Sequence, residues 1–208
     1  MNFKISFAVT VCNEHEELNK LLSLLSEKKR DEDEIVVQAD KSGCTKKVES
    51  VVKKYKVKFI KFDLNKDFGS FKNNLKTECS GDYIFQIDAD EIPSDETVSN
   101  LHKIIEKNLD VELFLVPRIN VVSDLTEDHI EKWGWTIGEN GWVNFPDYQY
   151  RIFKNNFNIK WKGKVHETIE GANVGVQLPA TAEYALIHIK DIKKQEKQNK
   201  FYDLLESK

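Results

Sequence analysis

Ile87-Asp88-Ala89-Asp90-Glu91 places three carboxylates directly behind an apolar run, with one small residue between the first two. Carboxylates this close repel each other unless a cation neutralises them, and hard oxygen ligands favour Mg²⁺ or Mn²⁺. A divalent-metal site on Asp88 and Asp90 is the chemistry these residues point to. The competing reading is a solvated turn whose acids cap a helix opening near Pro93. Position favours the metal, because residues 83–88 read as a buried strand and the acids stand at its carboxyl end. Two other polar clusters end similar runs: residues 10–14 and residues 40–42. Ligands of open α/β sheets bind beyond the carboxyl ends of the strands, so the three clusters are expected to converge on one site.

The elements that position them follow from periodicity. Residues 5–12, 34–39, 57–63 and 83–88 are short β-rich runs. Between them lie helical faces carrying Leu18, Leu21, Leu22 and Leu25, then Val48, Val51, Val52 and Tyr55, then Phe68, Phe71 and Leu75. The order βαβαβαβ predicts an α/β fold with a mostly parallel sheet flanked by helices. Asn13 is placed to cap the first helix. Pro93 and Ser94 open a further helix with Asp95 and Glu96 in its first turn and Val98, Leu101, Ile104 and Ile105 on its buried side. Residues 112–122 form another strand. A smaller, irregular half follows, crowded with aromatics from Trp133 to Trp161, with short strands near 150–153 and 182–189. A charged helix from Asp191 ends in Phe201, Tyr202, Leu204 and Leu205. A chain of 208 residues with 40% apolar content is expected to build one core, so residues 3–122, 123–190 and 191–208 are taken as parts of a single domain.

Composition narrows the function. With 31 basic against 35 acidic residues, the net charge of -4 gives no field for a polyanion, which argues against nucleic acid as a partner. Residues 1–4 lead into an apolar run without the features of a signal peptide, and no stretch approaches the roughly 20 apolar residues of a spanning helix, so a cytoplasmic protein is expected. Cys12, Cys44 and Cys79 lack the short spacing of a zinc or redox site and suit reduced thiols.

Three blocks carry a resemblance: residues 5–14 (ISFAVTVCNE), residues 68–73 (FGSFKN) and residues 81–91 (GDYIFQIDADE). They resemble the nucleotide-binding half of family 2 glycosyltransferases, which have the GT-A (Rossmann-like) fold. Residues 148–153 (YQYRIF) and 161–167 (WKGKVHE) are similar to the acceptor half of small bacterial members related to lipopolysaccharide-core glucosyltransferases. The resemblance implies an inverting, Mn²⁺- or Mg²⁺-dependent transfer of a hexose from a nucleotide diphosphate sugar to a hydroxyl of a glycan or lipid-linked saccharide. Asp90 would hold the metal against the donor diphosphate, and Asp88 would contact the ribose or the metal through water. Thr10, Cys12, Asn13 and Glu14 would line the nucleotide pocket, Ala89 would sit beside the donor, and Lys72 with Asn73 would face it. His188, near the chain end, is a candidate third metal ligand or a structural histidine. The second strand departs from the family pattern: it ends in one carboxylate, Asp40, where two acids are usual, and a uridine donor is favoured.

Glu167, in Val165-His166-Glu167, is the implied general base, with His166 as its orienter or substitute and Asp147 in reserve. Arg151 offers a planar fork for an anionic group of donor or acceptor, or a structural ion pair. One or two of Trp133, Trp135 and Trp142 are expected at the acceptor opening, and residues 123–141 as a lid. The terminal helix would pack on its own domain, join a homodimer or touch a membrane peripherally. Two other classes stay in view: a sugar-phosphate nucleotidyltransferase, disfavoured because residues 11–16 hold no glycine for a phosphate loop, and a sugar-nucleotide-binding module without turnover.

Overall fold

The computed structural model describes residues 3–206, with side chains as far as Phe201. Strand β1 (Ile5–Val11) is buried along its whole length, as a strand covered on both faces must be. It pairs in parallel with β2 (Glu34–Asp40) on one side and β4 (Tyr83–Asp88) on the other, and β2 pairs in parallel with β3 (Lys58–Phe62). The connecting helices are α1 (His15–Lys28), α2 (Lys46–Tyr55) and α3 (Phe68–Thr77). Strand side chains alternate between the two faces. Phe7 and Val9 join α1, α2 and α4 (Asp95–Glu106) in one core, whereas Ala8 packs with Val36, Ile84 and Leu75 of α3 in another.

The later strands complete the sheet. Strand β7 (Val143–Lys154) enters between β4 and β6 (Leu113–Ser123), antiparallel to both. Strand β11 (Leu186–Asp191) runs parallel to β6 and antiparallel to the short β5 (Glu91–Pro93). The order is β3-β2-β1-β4-β7-β6-β11-β5, with β10 (Gly175–Gln177) beside β6, and β8 (Lys160–Lys162) with β9 (Thr168–Glu170) form a separate ribbon. Helices α5 (Glu127–Trp133) and α6 (Ile192–Glu206) lie outside the parallel core.

Several local expectations are corrected. Asn13 does not cap α1: its carbonyl accepts from His15, and the Glu14 carboxylate instead accepts from the Cys12 and Asn13 N–H groups, both at 2.9 Å. Pro93 ends a strand, and Ser94 caps α4 by accepting from the Thr97 N–H at 3.0 Å. Residues 182–184 make a 3₁₀ turn, and the 123–141 segment contains α5, closed by Gly134 at φ 63°. The apolar side chains of Tyr202, Leu204 and Leu205 lie outside the described residues. Among those described, no helix is long and apolar enough to cross a membrane.

Opposite the carboxyl edge, Glu34 ties β2 to β1 and to the turn that precedes β4, accepting from Ser6 Oγ and the Ser80 N–H at 2.6 Å each and from Lys4 Nζ at 2.9 Å. Burial pushes its carboxyl up, but these donors outweigh burial and bring it down to about 2, from an ordinary 4.5. A depressed carboxyl pKa stabilises the fold above its ordinary value, and that contribution disappears as pH falls through the depressed one. Glu34→Gln should therefore melt earlier than the parent at pH 6, and thermal melts should show the gap closing towards pH 2.

Candidate active site

The strand register brings the three polar clusters together. Thr10 lies opposite Asp88 across β1 and β4, and Asp40 ends β2 beside them. They border a cleft of about 1060 Å³ that is also lined by Cys12, Asn13, Glu14, Lys72, Ala89, Asp90, Asp147, Arg151, His166, Glu167 and His188. Asn73 is not in it. Its amide donates to the Trp161 carbonyl at 2.8 Å and accepts from the Trp161 N–H at 2.9 Å, which fastens α3 to β8. Successive helical residues point about 100° apart, so a helix that turns Lys72 into the cleft turns Asn73 away.

The two aspartates on either side of Ala89 face different partners. Asp88 accepts from Thr10 Oγ1 at 2.5 Å and Arg151 Nη2 at 2.9 Å, with Lys72 Nζ at 3.8 Å. Burial pushes its carboxyl up, but the charges of Lys72 and Arg151 and the Thr10 hydrogen bond outweigh it and hold the group well below the usual range. Asp90 turns the other way, its Oδ2 meeting His188 Nε2 at 3.3 Å and Lys194 Nζ at 3.1 Å. Burial again pushes upward, and the contacts with His188 and the lysines outweigh it. A cage built from both aspartates and His188 is therefore not what the structure presents. Among the described residues no three acidic, histidine or cysteine side chains converge on one point.

One imidazole and one carboxylate meet in the cleft. Asn120 donates from Nδ2 to Asp147 at 2.8 Å, which leaves its Oδ1 facing His188 Nδ1 at 3.0 Å. Nδ1 then carries a ring proton, and Nε2 faces the Asp90 carboxylate oxygen at 3.3 Å. A proton or a cation must lie between that nitrogen and the oxygen. A histidine whose remote nitrogen is fixed by an amide carbonyl is the usual arrangement of a metal-binding imidazole. One carboxylate and one imidazole, completed by phosphate oxygens, suit Mn²⁺ or Mg²⁺.

Arg151 is 3% exposed and joins Asp88 to Glu91, whose Oε1 it meets at 2.6 Å; Arg118 reaches the same oxygen at 3.0 Å. Glu91, the third acid of the motif, is thus a buried anchor. Asp147 is held by Arg118 at 2.6 Å, by Asn120, and by Gln149 at 2.7 Å. Asp40 accepts from Ser42 Oγ at 2.6 Å and the Leu64 N–H at 3.0 Å, leaving its cleft edge already hydrogen-bonded. Gly43 belongs to this turn, because a Cβ there would fall 2.1 Å from Cys12 Sγ. The Cys12 thiol is pushed up to about 11 by burial and by Glu14 and Asp40, so it stays neutral.

Glu167 sits on a loop bound to the start of α3. The N–H groups of Phe68 and Gly69, which no helical carbonyl can reach, donate to the carbonyls of Lys164 and Gly163 at 2.9 and 3.1 Å. One turn further along, Lys72 forms an ion pair with Glu167 and lies 4.6 Å above the Trp161 ring. Lys72 is therefore a buried partner of two acids. His166 adopts φ 50°, a left-handed backbone that a non-glycine residue holds only where its surroundings require it. Trp133 and Trp135 line the cleft, their rings 4.7 Å apart, and Trp142 does not.

Sequence reasoning did not single out Arg118, Asn120 or Lys194. Arg118 and Asn120 alternate along β6 with buried apolar residues, which is a signal for one shared face; Lys194 in a lysine-rich helix carries none.

Comparison with known proteins adds to this geometry. The family profile described as Glycosyl transferase family 2 matches residues 6–172. No curated protein matches the sequence. Among solved structures, residues 1–349 of S. aureus TarS in complex with UDP align with a TM-score of 0.63 at 18% identity, over 89% of this chain and 60% of that one. The same protein in complex with UDP-GlcNAc gives 0.62 at 18% identity, over 91% and 59%. The mannosyltransferase PcManGT from Pyrobaculum calidifontis, in complex with GDP-Man and Mn²⁺, is more distant, with a TM-score of 0.47 at 17% identity over 74% and 45%. This chain spans about 60% of the length of these TarS chains, and likeness at such identities is a likeness of fold.

Proposed function

This chain belongs to glycosyl transferase family 2 and has the GT-A fold, and from that premise we propose that it transfers a hexose, with inversion, from a nucleotide diphosphate sugar to an acceptor hydroxyl on a glycan or lipid-linked saccharide. The observation that carries this reading is the Asp90–His188 pair: a carboxylate and an imidazole facing one another in the cleft, at the carboxyl edge of the sheet. UDP is the favoured nucleotide, consistent with the UDP and UDP-GlcNAc of the TarS complexes.

Asp90 and His188 would hold Mn²⁺ or Mg²⁺, which as a Lewis acid neutralises the charge that grows on the departing diphosphate. The chain's own residues do the rest. Thr10 and Arg151 fix Asp88, with Thr10 and residues 12–14 forming the wall against which the nucleoside lies. Trp133 and Trp135 offer flat apolar faces for the acceptor sugar. Glu167 takes the proton of the attacking hydroxyl. Its ion pair with Lys72 must loosen for that, and the negative donor phosphates are the natural alternative partner for the lysine.

Incubation with UDP-sugars and Mn²⁺, with and without EDTA, tests the proposal. Release of UDP that depends on the ion is expected, and release unaffected by EDTA would contradict it. Pyrophosphate formed from UTP and a sugar 1-phosphate would indicate a nucleotidyltransferase; tight UDP binding with no release on any acceptor would indicate a binding module.

The loop carrying Glu167 offers a separate check. A Cβ at Gly69 would lie 2.5 Å from the Gly163 carbonyl oxygen, a backbone atom that can yield only by moving the loop. Misplacing a reacting group by about 1 Å costs roughly 10²-fold in rate. Gly69→Ala is expected to lower kcat by about 10- to 100-fold while leaving the nucleotide Kd almost unchanged. An unchanged kcat would detach the loop from the chemistry.

A further inference from the structure

One oxygen, Asp90 Oδ2, receives both His188 Nε2 and the ammonium of Lys194 on α6. A divalent ion bound by that carboxylate would sit about 2.0–2.2 Å from its oxygen, close against an ammonium that is itself only 3.1 Å from the same atom. Like charges so placed repel strongly in a half-buried site. We infer that Lys194 is the resting counter-ion of Asp90 and gives up its place when a divalent cation binds, so that cation binding loosens α6 from the cleft. This rests on the metal reading of Asp90 and His188.

The helix is suited to such a release. Of its described side chains only Ile192 is buried. Polar ties hold it beyond that residue: Lys190 reaches Gln198 at 2.5 Å and Gln195 at 3.4 Å, the Lys194 N–H donates to Asp191 at 2.8 Å, and Glu196 approaches His129 of α5 at 3.6 Å. A segment with few buried side chains, as the described part of this helix is, has low local stability, and one lost ion pair shifts it appreciably. Gln195, Gln198 and Phe201 face the cleft from this helix, so its release would change the wall on which the acceptor is received.

Two measurements on the full chain test the inference. Mn²⁺ binding is read from the electron paramagnetic resonance signal of the free ion, and amide hydrogen exchange is followed over residues 192–201. In the parent, saturating Mn²⁺ should speed exchange in that segment by at least about threefold. Lys194→Met should exchange quickly there before any ion is added, respond little to Mn²⁺, and bind the ion about two- to fivefold more tightly, the scale of a partly exposed ion pair. If the parent binds Mn²⁺ and exchange over α6 is unchanged or slower, the inference is overturned while the metal site stands. If neither protein binds Mn²⁺, both fall. Tighter binding by the variant with no effect on exchange would mean simple repulsion without release, and would also overturn it.

Discussion

Asp90→Asn is expected to abolish sugar transfer, with a loss of at least about 10³-fold in kcat/KM, because several kcal/mol of charge stabilisation at the leaving diphosphate would go with the ion and each 1.36 kcal/mol is tenfold in rate. An amide keeps the shape of the side chain and loses the charge that opposes Lys194 and Lys190. Coupled assay of nucleotide release measures the loss. Far-UV circular dichroism is expected to match the parent, since Asp90 lies on the turn between β4 and β5, outside both hydrophobic cores. Retained activity would remove the carboxylate from the mechanism.

The next largest effect belongs to Glu167→Gln. Losing a general base costs about 10²- to 10⁴-fold in turnover. Nucleotide affinity is expected to change little, because the amide can still accept from Lys72. The buried lysine does lose its charged partner, and among the described residues Asp88, 3.8 Å away, is left to balance it. Breaking a buried pair from one side is destabilising, so the melting temperature should fall as well. Turnover measured under saturating donor, with UDP affinity by calorimetry, separates the two. Normal turnover in a protein that melts early would leave Glu167 a purely structural role and return the search for a base to the cleft. Asp147 is a poor substitute there, fixed by Arg118, Asn120 and Gln149.

How much of this was legible in sequence depended on the length scale of each signal. The βαβαβαβ half reads clearly because buried parallel strands are nearly continuous apolar runs, as β1 and β4 are, and because their polar ends fall together by topology alone. The second half reads poorly. Strands of three residues, such as β5, β8, β9 and β10, are too short to show a period, and β7 is interrupted by Pro146 and mixes polar with aromatic residues up to Tyr150. Lys72 and Asn73 are adjacent in one motif and read as a pair, yet one helical step separates the cleft from the seam with β8. The pairing of Asp90 with Lys194, 104 residues away, and of Arg118 with Asp147 is fixed only once β6, β7, β11 and α6 are assembled. Local spacing marked Asp88 and Asp90 as a unit, whereas the fold turns them to opposite partners.

The central claim is that Asp90 and His188 together hold a divalent ion against the donor's diphosphate. A crystal structure of the full chain with Mn²⁺ and UDP, with the ion located by its anomalous signal, tests this most directly. The account predicts manganese bonded to an Asp90 oxygen and to His188 Nε2, with the rest of its shell drawn from phosphate oxygens. UDP seated in the cleft with manganese elsewhere, or with His188 still turned to Asp90 and no ion between them, would contradict it.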